Sequence, residues 1–254
     1  MFELDDRIFL GEGLFETLKI VNGEPSCAYL HWQRLSCSAN QLSIPFELSY
    51  EHWLEQLVQK IKEDKIIHGG IKALLSGGSA PRGLEAKGQR SQLRLDTFHY
   101  TIQTQPLRLI RAPWLRDAAN PVYQVKSINY LEAVLARRQA LAVDANDALF
   151  FNTQHHATET TCANLFIIKN NTLLTPALTD GALPGITRSR ILDASWQQHI
   201  DCQERSLSAA LIETADAVFV TNSLQGIRNV FSLDEMTFAL DHPLLARLES
   251  LLSV

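Results

Sequence analysis

At 254 residues, 46% apolar and 20% charged, the chain is long enough for two modest domains and lacks the composition of a disordered protein. A net charge of −5 with no basic stretch excludes the usual nucleic-acid binder. No apolar run reaches a membrane span, and "MFELDDRIFL" has acids where a secretory signal needs a basic start, so a cytoplasmic protein is expected.

The first hundred residues alternate strand and helix. "LFETLKIV" alternates toward Asn22-Gly23, the usual hairpin punctuation. "AYLHWQRLSCSANQL" and "YEHWLEQLVQKIKE" read as helices, the second with Trp53, Leu54, Leu57, Val58 and Ile61 on one face. In the first, Leu30 and Leu35 share a face with neither His31 nor Arg34, which lie three apart on another. An arginine there is either solvated or aimed at a cleft, where its planar fork suits a phosphate. "GIKALLSGG" is a strand entering a glycine-rich loop, and "SQLRLDTFHYTIQ" a strand leaving it. These elements place a small N-terminal α/β domain over 1–103, joined through "TQP" to a second domain over 107–254.

The second domain opens with strand "LRLIRAP". "PVYQV" reads as another strand, and "KSINYLEAVLARR" sets Lys126 at its junction with a helix. Ile128, Leu131, Val134 and Leu135 recur at helical spacing, with Asn129 as cap and Glu132 three residues on. A lysine at such a junction has its stem among apolar groups and its amine near a helix N-terminus, which both favour the neutral form. It is either a nucleophile or a lysine at a sheet edge. Beyond it, "ALFFNT" and "NLFIIK" flank a polar turn, Asn170-Asn171 turns the chain into "LLTP", and "PGITRSRILDASWQQ" opens a helix. "ADAVFVTNSLQGIRNV" runs a strand into a glycine-containing turn, and "HPLLARLESLL" forms a short helix. Cys27, Cys37, Cys162 and Cys202 show no CxxC or CxxH spacing, so structural thiols are expected rather than a metal site or a disulfide framework.

Three features downstream of Lys126 suit a phosphorylated, electron-poor ring. Glu159 in "ETTCANLF" precedes a hydrophobic strand, where an acid either holds a proton on a ring nitrogen or sits exposed at an edge. In "LPGITRS", Gly185 lets the chain turn so that Ile186 and Thr187 begin a helix. Free N–H groups there can cradle a phosphate, although Pro-Gly before a helix is also common punctuation. "VTNSLQG", with Ser223, is either a capped turn or an anion site. With Arg34, an amine, an acid and three anion-binding elements describe a pyridoxal 5'-phosphate site.

Residues 159–188, "ETTCANLFIIKNNTLLTPALTDGALPGITR", resemble the long signature of the class IV, fold-type IV pyridoxal-phosphate enzymes. Glu159, Asn164, Leu165, Phe166, Thr175, Gly185, Ile186 and Arg188 fit its places. "KSINYLEAVLARR" is similar to that family's cofactor-lysine segment, "HWQRL" to its phosphate-arginine segment and "GEGLFETLKIVNGEP" to its N-terminal hairpin. "FVTNSLQGIRNV" and "SGGSAPRGL" look most like the aminodeoxychorismate lyases of the family. Gly77 and Leu84 depart from that loop, which often has an arginine and an aromatic there, and Glu12 stands where an aspartate is frequent.

The resemblance implies a fold-type IV, two-domain α+β (α/β) protein, a homodimer, with a small N-terminal α/β domain and a larger C-terminal barrel-like domain. It implies pyridoxal 5'-phosphate carried covalently on Lys126, whose amine also moves the substrate proton. Glu159 would hold the ring nitrogen, and Arg34, Ile186, Thr187 and Ser223 the phosphate. Tyr130 would meet the ring hydroxyl, Asn164 would brace the site, and Arg82 would bind a substrate carboxylate. The implied reaction turns 4-amino-4-deoxychorismate into pyruvate and 4-aminobenzoate, a folate precursor. The alternative is an aminotransferase for D- or branched-chain amino acids.

Overall fold

The computed structural model describes residues 7–252, so the acidic opening at 1–6 lies outside the described residues. Its chain divides into an N-terminal unit that runs through Ile102 and takes in Val125–Tyr130, and a C-terminal unit of Gln103–Gln124 and the residues from Leu131 onward.

In the N-terminal unit, β1 (Gly13–Val21) turns through Asn22 and Gly23, at φ 52° and 79°, into β2 (Glu24–Pro25). Positive φ at both positions suits the tight turn that Asn-Gly sequences favour. Helices α1 (Ala28–Gln41) and α2 (Tyr50–Glu63) follow, then β3 (Gly69–Ser76) and β4 (Leu93–Phe98). The sheet order is β2-β1-β3-β4, with antiparallel neighbours. Alternation along β1 sends Leu14, Leu18 and Ile20 inward, where they meet Leu35 and Ala39 of α1 and Trp53, Leu57 and Ile61 of α2. Leu54 and Val58 flank that buried stripe, half-buried.

"PVYQV" is not a strand. Pro121–Gln124 form a 3-10 turn, because the carboxylate of Asp117 and the amide of Asn120 accept from Ala119 N (2.9 Å) and Val122 N (3.1 Å). Asx turns ahead of a proline override the β propensity of the valines and tyrosine. Extended pairing falls on the next residues instead. Phe15 N donates to Lys126 O (2.9 Å), Ile128 N donates to Gly13 O (3.0 Å), and Leu14 bridges Ser127. Val125 joins the core of the N-terminal unit. This pairing groups Val125–Tyr130 with the first unit, whereas sequence order alone puts the lysine segment in the second domain.

The C-terminal unit holds β5 (Leu107–Arg116), α3 (Leu131–Ala142), β6 (Asp147–Asn152), β7 (Ala157–Thr160), β8 (Asn164–Lys169) and β9 (Thr172–Thr175). It continues with α4 (Ile186–Gln197), β10 (Cys202–Glu204), α5 (Ala209–Glu213), β11 (Ala217–Asn222), β12 (Gly226–Leu233), β13 (Met236–Thr237) and α6 (Pro243–Leu252). Strands β8, β11, β12, β5, β6 and β7 pair in turn, and the Glu159–Asn164 pairing of β7 with β8 closes the ring into a barrel. Closure removes the edges that an open sheet would leave. Leu109, Leu149, Phe151, Leu165, Ile167, Val218 and Val220 share one core cluster. Phe166 and Phe219, stacked at 5.1 Å, pack instead with Ile191 of α4 and Leu245 and Leu248 of α6.

Helix α3 corrects two expectations. It starts at Leu131, after the residues paired with β1, so Asn129 is not its cap. Asn129 Nδ2 instead donates to Gly11 O (3.0 Å). Leu131, Val134 and Leu135 face outward, and Ala133, Ala136 and Ala140 are the buried residues. Small side chains let the helix lie close to the barrel, where Ala136 and Ala140 meet Phe150. Among the described residues no helix is long and apolar enough to cross a membrane.

Candidate active site

The register of residues 126–128 on β1 fixes the lysine. Lys126 is half-buried; its Nζ donates to Tyr130 Oη at 3.0 Å and lies 4.3 Å from the centre of the Phe15 ring. Tyr130 in turn meets Phe15 edge-on, with ring centres 5.0 Å apart. Lys126 and Tyr130 are thus brought together by a backbone ladder and one aromatic ring.

Behind them, Glu16 points inward from β1 and α1 receives it. His31 Nδ1 lies 2.6 Å from Glu16 Oε2, and Arg34 donates from Nε to Oε1 (2.7 Å) and from Nη2 to Oε2 (2.6 Å). Burial alone would raise the Glu16 carboxyl, but the charge and hydrogen bonds of Arg34, helped by His31, outweigh it and hold the group at about 2. Burial, partly opposed by Glu16, pushes His31 below its ordinary value and leaves it neutral, so Nδ1–H is the donor. The expected faces of α1 are corrected here, because His31 is buried along with Leu35 while Leu30 is only half-buried. Glu16 went unnoticed in the sequence, though an acid at an inward position of an alternating strand was the signal for it.

In the C-terminal unit, Glu159 lies within β7. Its Oε1 accepts from Arg116 Nη1 (3.1 Å) and its Oε2 from Leu183 N (3.1 Å). Arg116 is 5% exposed, lies over the Phe150 ring and also bonds Glu132 (2.9 Å). Asn164 Nδ2 donates to Leu183 O at 2.8 Å, so Glu159 and Asn164 hold the two consecutive peptide groups that flank Leu183. Gly185 is in extended backbone at φ −74° and is not needed for an unusual turn. It is needed for space, because a Cβ there would lie 1.8 Å from Asn164 Oδ1.

Ile186 and Thr187 follow Gly185 as the first residues of α4, which has no side-chain cap. Ser223 sits half-buried in the turn after β11, where Asn222 Oδ1 accepts from Leu224 N (3.1 Å) and Gln225 N (2.8 Å). The turn is therefore capped by Asn222. Two residues earlier, Thr221 Oγ1 is buried with no hydrogen-bond partner among the described residues. Two signature residues are structural: Thr175 Oγ1 donates to Leu165 O (2.7 Å), and Arg188 bonds Pro176 O (2.9 Å) and Glu204 (2.6 Å).

Arg82 is exposed on a loop that Ser79 and Gln89 close with paired backbone hydrogen bonds of 2.7 and 2.8 Å. A Cβ at Gly77 would lie 2.5 Å from Glu12 O and 3.0 Å from Arg7 Cβ, so no arginine fits there. The side chain of Arg7 occupies that space, pairs with Glu12 and donates to Gly83 O (3.0 Å).

Each unit carries groups whose chemistry suits pyridoxal phosphate. The N-terminal unit has a primary amine beside a phenol and, separately, a guanidinium; the C-terminal unit has a carboxylate held by two donors, an uncapped helix start and an orphaned hydroxyl. Comparison with known proteins agrees. Residues 13–233 match the family model described as amino-transferase class IV. A crystal structure from Legionella pneumophila named "Putative 4-amino-4-deoxychorismate lyase" is 60% identical, with a TM-score of 0.98, covering 100% of this chain and 94% of that one. The aminodeoxychorismate lyase of Vibrio harveyi is 27% identical over 248 residues, 95% of this chain and 90% of the relative. A "Putative branched-chain-amino-acid aminotransferase" of Methanocaldococcus jannaschii is 29% identical over 239 residues, 91% of this chain and 81% of the relative. A lysine pinned to β1, a carboxylate fixed on the barrel and a family match across most of the chain lead to one conclusion: this protein belongs to the class IV aminotransferase family of pyridoxal 5'-phosphate enzymes.

Proposed function

We propose that the protein is a 4-amino-4-deoxychorismate lyase that releases pyruvate and 4-aminobenzoate, in the synthesis of a folate precursor. The observation that carries this is the 60% identity, over the whole chain, to the Legionella pneumophila structure bearing the lyase name. The relative with the aminotransferase name stands at 29%.

When bound, the cofactor supplies an electron sink conjugated to the substrate amine. Lys126 anchors it, and the Lys126 amine then takes the proton from the amine-bearing carbon. Tyr130, already within hydrogen-bond reach of that amine, holds it in place and meets the ring hydroxyl. Glu159, aligned by Arg116 and Leu183 N, keeps a proton on the ring nitrogen. Arg34, the N–H groups of Ile186 and Thr187, and Ser223 hold the phosphate. Asn164 fixes the turn before α4. Arg82 pairs with a substrate carboxylate.

The overall change needs no oxidant or second substrate: the enolpyruvyl ether bond breaks, the ring aromatises as the amine-bearing carbon loses its proton, and one proton ends on the methylene of the released enolpyruvate to give pyruvate. The same proposal includes a cytoplasmic homodimer. Comparing kcat/KM for aminodeoxychorismate with that for D-alanine or leucine plus 2-oxoglutarate tests it. A clear preference for aminodeoxychorismate is expected, and a preference for either amino acid makes the protein an aminotransferase.

A further inference from the structure

Position 16 belongs to the core by the alternation of β1, yet a carboxylate stands there, 1% exposed and opposite Ala73 of β3. Its anchorage is rigid: it rises from the middle of a paired strand, and α1 closes over it. His31, itself 2% exposed, is braced against one oxygen at 2.6 Å. Arg34 reaches the same carboxylate from one turn along α1 and engages both oxygens through Nε and Nη2. Two guanidinium nitrogens of Arg34 are thereby bonded in a fork to a buried carboxylate that His31 also holds.

The charges fit this arrangement. Glu16 stays ionised because Arg34 and His31 overcome the burial that would otherwise raise it, and His31 stays neutral through its own burial. The cluster therefore holds one anion against one cation, and the imidazole adds a hydrogen bond without adding charge. The Arg34 side chain is 11% exposed, the most accessible member of the three.

We propose that Glu16, braced by His31, is a positioning residue that sets the orientation of Arg34 for the cofactor phosphate. This rests on the assignment of Arg34 to the phosphate. The cluster then determines how strongly the protein prefers pyridoxal phosphate to pyridoxal, which lacks the phosphate. It does so through the place of a carboxylate as much as through its charge.

The test is titration of the cofactor-free protein with pyridoxal phosphate and with pyridoxal. Wild type would be compared with Glu16→Asp, Glu16→Gln, Arg34→Gln and the Glu16→Asp/Arg34→Gln double variant. Glu16→Asp keeps the charge but draws it back by one methylene; Glu16→Gln keeps the length but breaks the ionic fork. Each is expected to lower the preference for the phosphorylated form by about tenfold, the scale of one charge-assisted hydrogen bond, with pyridoxal affinity unchanged. Arg34→Gln should lose at least as much, and adding Glu16→Asp to it should change nothing further. If Glu16→Gln does not fold, Glu16→Asp carries the test alone.

Equal weakening of both ligands would make Glu16 merely structural and overturn the proposal. So would a Glu16→Asp variant with full phosphate preference alongside an Arg34→Gln variant that has lost it. Full preference in Arg34→Gln would instead remove Arg34 from the phosphate and defeat both assignments.

Discussion

Lys126 Nζ reaches the Tyr130 phenol at 3.0 Å because Phe15 N and Lys126 O are locked in a backbone pair. If that amine carries the cofactor, borohydride reduction of the holoenzyme should label the peptide containing Lys126 and no other. Lys126→Ala should lose roughly 100-fold or more in kcat, as removal of an acid–base group does. Glu159→Gln should lower kcat by about tenfold to a hundredfold, because an amide cannot hold a pyridinium charge. The fold should survive, since Arg116 keeps Glu132 as a counter-ion, and circular dichroism with turnover separates the two effects. Unchanged turnover would return Glu159 to a structural part.

Glu16 makes a prediction without any cofactor. Its folded value, about 2, lies below the ordinary 4.5, so its contribution is fully present above 4.5 and is lost as pH falls toward 2. That contribution is on the order of 3 kcal/mol. Between pH 5 and 3 the urea stability of wild type should fall more steeply than that of Glu16→Gln. Parallel curves would contradict the buried ion pair.

At the scale of elements, the start of α4 depends on a close approach rather than on a special torsion. Gly185→Ala would push a methyl against Asn164 Oδ1, and accommodating it should cost about 1–3 kcal/mol of stability together with cofactor affinity. Gly185→Ala/Asn164→Ala should be less damaged than the sum of its single changes, because the second truncation removes the clash. Additive losses in thermal melts and cofactor titration would show that the two residues act separately.

The alternating strands and α2 were legible because their apolar period matches the face they bury, as Trp53, Leu57 and Ile61 do. Helix α3 was legible as a helix but its buried face was not, because alanines form its inner face while larger residues point outward, reversing the usual contrast. Lys126 was singled out by its flanking residues and the family resemblance. Its β1 partner, more than a hundred positions earlier, left no local trace. Glu16 had a local signal, an acid at an inward strand position, but its partners on α1 and the contact of Arg7 with Gly83 lie too far along the chain to leave one.

For the whole molecule, the outward face of α3 carries Leu131, Val134 and Leu135, exposed by 69%, 38% and 44%. Such a face is expected to be covered in the proposed homodimer, and sedimentation should give the mass of two chains. Leu135→Glu, placing a charge in that surface, should shift it toward one. A monomeric wild type would contradict the dimer and leave the lysine site untouched. Arg82 stands on a loop whose base is closed by the Ser79–Gln89 pair and whose tip is tied through Gly83 O to Arg7. Arg82→Ala should therefore leave the cofactor spectrum unchanged and reduce kcat/KM for aminodeoxychorismate about thirtyfold, through KM, as loss of a carboxylate pair of about 2 kcal/mol implies.

The lyase assignment meets its most direct test in product stoichiometry with no keto acid present. Holoenzyme given excess aminodeoxychorismate should release pyruvate and 4-aminobenzoate in equal amounts over many turnovers. Its cofactor spectrum should be the same at the end as at the start. Turnover that stops after one equivalent, with the cofactor converted to its amine form until 2-oxoglutarate is added, would contradict the lyase and identify an aminotransferase on the same fold.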